Sequence, residues 1–180
     1  MQLHYRTYGD GPPLIILHGL FGSLDNWHSI SSKLAERFRV LAVDQRNHGR
    51  SPHSDQMSYE VMAADVSGLL EHEKIPCAHI MGHSMGGKTA MQMALLFPQQ
   101  VESLIVVDIA PKIYPPIHHK IIEALGGLDL ARFQSRKEME EALAAAIPEL
   151  SLRQFLLKNA RRKADGSFEW QIGLDEIRRG

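Results

Sequence analysis

The stretch HIMGHSMGGKTAM, residues 79–91, decides how the rest of the chain reads. An apolar run enters from Cys77, a serine stands at position 84 with Gly82 and Gly86 two residues to either side, and an apolar, helix-compatible segment leaves. A serine in that setting, on a sharp turn between a buried strand and a helix, has its hydroxyl pushed clear of the backbone. The flanking glycines are needed because so tight a turn brings main chain against main chain. The amino terminus of the following helix also favours negative charge beside the serine. Ser84 is therefore a candidate nucleophile, and strand-turn-helix is the local structure it requires.

Working outward, three more short apolar runs repeat the pattern: PLIILHG, RVLAVD and SLIVVDIA. Each is nearly continuous in hydrophobicity, as strands covered on both faces of a parallel sheet are. Helical spacing lies between them. Trp27, Ile30 and Leu34 fall on one face, as do Tyr59, Met62, Ala63, Val66, Leu69 and Leu70, and Thr89 to Phe97 reads as a buried helix. Strand and helix in alternation predict an α/β fold with a mostly parallel sheet and helices on both faces. LHYRTYGDG precedes the first run as an edge strand turning at Gly9-Asp10-Gly11. From Lys112 the character changes, through the proline-bearing connection KIYPPIHHK, to helical segments without strands between them. Ser135 with Glu138, and Ser151 with Gln154, have capping-box spacing. ADGSFEWQI carries a turn at Asp165-Gly166 and a short strand-like run.

The 180 residues suit one domain with a small insertion. Twenty basic residues balance 21 acidic ones, and no basic stripe points to nucleic acid. No apolar run approaches the ~20 residues of a membrane helix, so no membrane partner is expected. Cys77 is the lone cysteine, which rules out an internal disulfide and suits a cytoplasmic setting. No histidine-rich ligand spacing of the H-E-x-x-H kind appears, so no metal site is expected.

Acyl transfer needs donors for the oxyanion as well as a nucleophile. One is the N–H of Met85, the residue after the serine; the second is expected from HGLFG, at the N–H of Leu20. His18 and His83 flank the site, shape its turns, and are the histidines placed to touch substrate. Asp44, Asn47 and His48 are read as shaping the loop after the RVLAVD strand.

HGLFGSLDNW, DQRNHGRS, GHSMGGK and VVDIAP together resemble the α/β-hydrolase superfamily, and within it the YbfF-like esterase branch. The resemblance is specific over residues 1–111, the expected hydrolase core, and looser over 112–180, the expected helical cap. It implies hydrolysis of a carboxylic ester or acyl-CoA thioester through an acyl-enzyme on Ser84, with no metal or organic cofactor. It also places the acid partner at Asp108, 24 residues beyond the serine and at a strand's carboxyl end. The order serine, acid, histidine leaves only His118 and His119 after Asp108, both at the root of the cap. The family's histidine lies later, after further core strands. The expectation is thus an amino-terminal part lacking the carboxyl-terminal core strands, ~60 residues at about 30 per βα unit. Such a part is expected to self-associate through its uncovered edge. The competing expectation is a non-catalytic protein of the same fold that binds a ligand or partner.

Overall fold

A computed structural model describes residues 1–115 and 118–179; Pro116 and Ile117 of the proline-bearing connection, and Gly180, lie outside the described residues. The apolar runs become the strands β2 (Pro13–Leu17), β3 (Arg39–Asp44), β4 (Ala78–His83) and β5 (Val101–Val107), with β1 (His4–Tyr8) before them. They form a five-stranded sheet in the order β1-β3-β2-β4-β5. Every pairing in it is parallel except that of β1, the edge strand at the start of the chain, which runs antiparallel to β3.

Both faces of β2 and β3, at the middle of the sheet, are covered, which is why their runs do not alternate. Ile15, Leu17, Leu41, Val43 and Ile80 pack against α2 (Tyr59–His72) and α3 (Met85–Leu96). Leu14, Ile16 and Val40 face the other way, onto Trp27 and Leu34 beside α1 (His28–Leu34). Ile30 does not join them: it is exposed, because α1 is a two-turn helix whose packed stripe runs through Trp27, the buried Ser31 and Leu34. Tyr59 likewise lies at the exposed start of α2.

The helix that the serine's turn requires starts directly after it, at Met85. The buried-helix expectation for Thr89 to Phe97 needs one correction: Leu95 and Leu96 near the helix end are exposed. Strand β5 also starts earlier than the apolar run suggests, at Val101, and ends one residue before Asp108.

Residues 119–179 build a second unit with its own apolar cluster, centred on Leu125, Met139, Leu143, Leu156 and Ala160. Its helices are α4 (His119–Gly126), α5 (Arg136–Leu143), α6 (Leu150–Leu156) and α7 (Leu174–Arg179). Ser135 caps α5 as its spacing predicts, accepting from the Glu138 N–H while Glu138 accepts from Gln134 N–H. Ser151 does not cap α6. Glu149 is the residue before the helix, and the Ser151 hydroxyl donates to its carboxylate at 2.7 Å. Strands are present here too: β6 (Ala160–Arg162) and β7 (Phe168–Trp170) form an antiparallel hairpin, turning at Asp165-Gly166, with Gly166 at φ +86°. The strand-like run is β7; β6, an Ala-Arg-Arg tripeptide, carries no apolar signal of its own.

Candidate active site

Parallel register gathers the site. β2 and β4 are neighbours with Leu17 opposite Gly82, and β4 and β5 are neighbours with His83 opposite Val107. The three loops that leave their carboxyl ends therefore start side by side, at the place where open α/β sheets carry their chemistry. These loops hold His18–Gly22, Ser84 and Asp108.

Ser84 has φ +50°, ψ −114°, a conformation that a side chain other than glycine's makes costly and that the surrounding structure must enforce. The enforcing contacts are on both sides. Ser84 N–H donates to Val107 O at 3.1 Å, and Ser84 O accepts from Lys88 N–H, the first turn of α3. Gly86 lies so close to β2 that an added Cβ would stand 2.4 Å from Leu17 O. Asp108, directly across, also has positive φ, +55°. Its side chain is largely exposed and its carboxylate is 3.7 Å from His83 Nε2.

The backbone of Gly19 lies against the serine: a Cβ there would be 3.4 Å from Ser84 Cβ and 2.8 Å from His83 Nδ1. That puts the Leu20 N–H and the Met85 N–H in the same neighbourhood. His83 beside the serine is half-exposed, with the Trp27 ring 6.4 Å away. His18 is not. It is 1% exposed, and both ring nitrogens are engaged by backbone. A carbonyl only accepts, so Nδ1–H donates to Gly19 O at 2.8 Å and Nε2 accepts from Gln45 N–H at 3.0 Å. Of the two histidines expected at the site, the structure gives His18 the turn-shaping part alone, and its burial removes it from contact with a substrate.

Asp44, Asn47 and His48 shape the next loop, as their positions suggest. Asp44 accepts from Leu24 N–H at 2.7 Å and Arg50 N–H at 3.0 Å; burial nonetheless raises its carboxyl above the usual range. Asn47, at φ +63°, pairs with Ser54 through both ends of its amide. Arg46 anchors this loop to α2 by a buried bidentate pair with Asp65, at 2.6 and 2.9 Å, a contact no local pattern announces. His48 Nδ1–H donates to Arg46 O and its Nε2 accepts from Phe21 N–H at 3.3 Å. The two buried rings lie 5.0 Å apart. Loss of water pushes His18 down to about 4 and His48 down to about 3, so both are neutral at physiological pH.

Four more histidines point elsewhere: His79 to Ser103, His28 to Tyr8, His4 to Arg50 and His53 to Gln171 O. His118 packs edge-on against Phe21 at 5.8 Å. Among the described residues no histidine nitrogen bonds the Ser84 hydroxyl, and no three His, Cys, Asp or Glu side chains gather as metal ligands would. A polar cavity of about 270 Å³ between Asn26, Arg50, Lys158 and Gln171 includes neither Ser84 nor Asp108. Among the described residues no helix is long and apolar enough to cross a membrane.

Sheet order, strained serine and adjoining glycine loop define an α/β hydrolase. A family model described as the alpha/beta hydrolase fold matches residues 12–166, and the chain belongs to that family. Its relatives include esterases and lipases. It is 43% identical over 178 residues to the sn-1-specific diacylglycerol lipase ABHD11 of Danio rerio, covering 94% of this chain and 56% of that one. It is 35% identical over 163 residues to esterase YbfF of Escherichia coli strain K12, covering 90% and 62%. Among solved structures it superposes on a marine microorganism esterase with a TM-score of 0.95 at 49% identity, covering 99% of this chain and 71% of that one. The chain thus spans between half and two thirds of the length of these two curated relatives.

Proposed function

We propose that this chain is the nucleophile-bearing part of a serine hydrolase that cleaves carboxylic esters or acyl thioesters. The observation that carries the reading is Ser84 held at φ +50° between β4 and α3 with the Gly19 backbone against it. In the reaction the Ser84 Oγ attacks the acyl carbon and its proton passes to a histidine base, expected beyond residue 180. The carbonyl electrons move onto oxygen, where the Leu20 and Met85 N–H groups hold the charge. Collapse expels the alcohol or thiol, which takes the proton from the base; water then releases the acid by the same steps. Asp108 orients the histidine and stabilises its charged form. Residues 112–180 act as the cap over the acyl chain. The names of the relatives, an esterase and a diacylglycerol lipase, support an ester of a lipid-like acyl group. The setting is cytoplasmic, and the uncovered β5 edge favours self-association of the 180-residue chain.

A second reading, a ligand- or partner-binding protein on the same fold, has one observation on its side: no described histidine reaches Ser84. A chain extended to the length of its relatives separates the two. It should hydrolyse p-nitrophenyl butyrate, and Ser84→Ala should abolish turnover with the fold intact. Turnover by Ser84→Ala equal to that of the parent removes Ser84 as nucleophile; no turnover by the parent favours the binding protein.

A further inference from the structure

Leu20, the expected oxyanion donor, is held from both of its neighbours. On one side, Gly19 O accepts from His18. On the other, Phe21 is tied at every polar atom and at its ring. Its N–H goes to His48 Nε2 at 3.3 Å, and its C=O accepts from Asn159 Nδ2 at 2.8 Å. The ring is buried in the apolar cluster of the second unit, edge-on to His118. Its φ is +62°, an outlier for a bulky residue. Such strain persists only where contacts over-determine it, and here they come from two different units. Asn159 is itself fixed: its side chain also donates to Leu156 O at 3.0 Å, and its C=O accepts from Gln171 N–H.

We propose that Phe21 is a latch between the helical unit and the oxyanion loop, and that His48 and Asn159 are positioning residues acting through it on the Leu20 N–H. When the helical unit is seated, Asn159 and the apolar cluster hold Phe21 in the left-handed region. Without them Phe21 relaxes to negative φ, the peptide joining it to Leu20 swings away from His48, and the Gly22 N–H beyond it leaves Gly19 O, to which it donates at 3.0 Å. The peptide that carries both Gly19 O and the Leu20 N–H is then held by His18 alone and turns from its direction. The Met85 N–H is fixed by α3 and does not respond. Seating of the helical unit therefore decides whether one of the two donors is in place. The inference rests on the reading of Ser84 as nucleophile and deepens it.

The test uses the chain extended to the length of its relatives, ¹⁵N-labelled, and butylboronic acid, whose tetrahedral adduct on a serine places an oxygen where the oxyanion would lie. In the parent, both the Leu20 and the Met85 amide protons should move downfield, and Ser84→Ala should lose both responses. In Asn159→Ala and His48→Leu, the Met85 response should persist while the Leu20 response is lost, with affinity about tenfold weaker as one donor disengages. His48→Gln, whose Oε1 can accept from Phe21 N–H, should restore the Leu20 response. If Asn159→Ala does not fold, the His48→Leu and His48→Gln pair decides alone. A Leu20 response unchanged in the variants, or both responses lost together, overturns the latch. No response in the parent, or one that survives Ser84→Ala, overturns the nucleophile reading instead.

Discussion

Positive φ at Ser84, Phe21, Asn47 and Asp108 marks the residues that the surrounding structure holds against their own preference. Two of them were legible as candidate site residues: Ser84 because its turn demands glycine at fixed offsets, and Asp108 through the family resemblance. Phe21 was not, because its partner Asn159 lies 138 positions away and no local period joins them. Asp108 carries a direct prediction. In a chain extended to the length of its relatives, Asp108→Asn should lower kcat by roughly 10⁴ in a p-nitrophenyl butyrate assay; a loss under about tenfold would put the acid on another strand. The buried histidines carry a pH prediction. The unfolded chain protonates both rings as pH falls below about 6.5, whereas the native rings resist until about 4 for His18 and about 3 for His48. The stability that comes from keeping them neutral is full above about pH 6.5. It drains as pH falls, by up to about 1.4 kcal/mol per pH unit for each ring. Asp44, whose carboxyl is held high by burial, binds its proton earlier in the native state and opposes this slope at the acid end. Urea midpoints should thus fall between pH 7 and pH 5, and His48→Gln should remove about one proton's share of that slope. Equal midpoints at the two pH values would contradict the assignment.

Strands were the most legible elements and helix ends the least. The run RVLAVD coincides with β3 residue for residue, because Val40 to Val43 are buried on both faces and so are apolar without a break, while the charged Arg39 and Asp44 stand at the strand's two ends. The end of α3 was misread for the opposite reason: Leu95 is 75% exposed, and apolar composition alone does not tell a buried turn from an uncovered one. The two capping boxes show why spacing needs geometry. Ser135 has the extended backbone of a cap, at φ −147°, ψ 155°, whereas Ser151 lies one residue inside α6, after Leu150. Ser135→Ala should therefore cost about 1 kcal/mol of stability in urea unfolding. Ser151→Ala, which loses only an exposed hydroxyl contact with Glu149, should cost less than about 0.5 kcal/mol. Equal costs would mean that the Ser135 cap is not formed in solution.

The asymmetry of the sheet governs the behaviour of the molecule. One edge is β1, antiparallel and short; the other is β5, seven residues of parallel strand. Along β5 Glu102, Ser103, Leu104 and Ile105 are exposed in succession, so both faces as well as the backbone edge meet solvent. Leu95 and Leu96 of the adjoining α3 extend the apolar surface. The β1 edge was readable in the polar run before the first apolar strand; the uncovered edge beside Asp108 came from the family resemblance, because topology and not hydrophobicity decides which strand lies outermost. Unpaired N–H and C=O groups beside exposed leucines form a template for another strand, and Glu102 is the only charge in that exposed run. The 180-residue chain should therefore associate with itself through β5. Light scattering should give a mass above that of one chain, falling with dilution. Leu104→Lys combined with Leu95→Lys should shift the mass toward the monomer by placing charge where a second copy would pair, without touching Ser84 or the packing of β4. A monodisperse single chain before any substitution would show that β5 does not recruit a partner. A mass unaltered by the two lysines would place the contact elsewhere on the molecule.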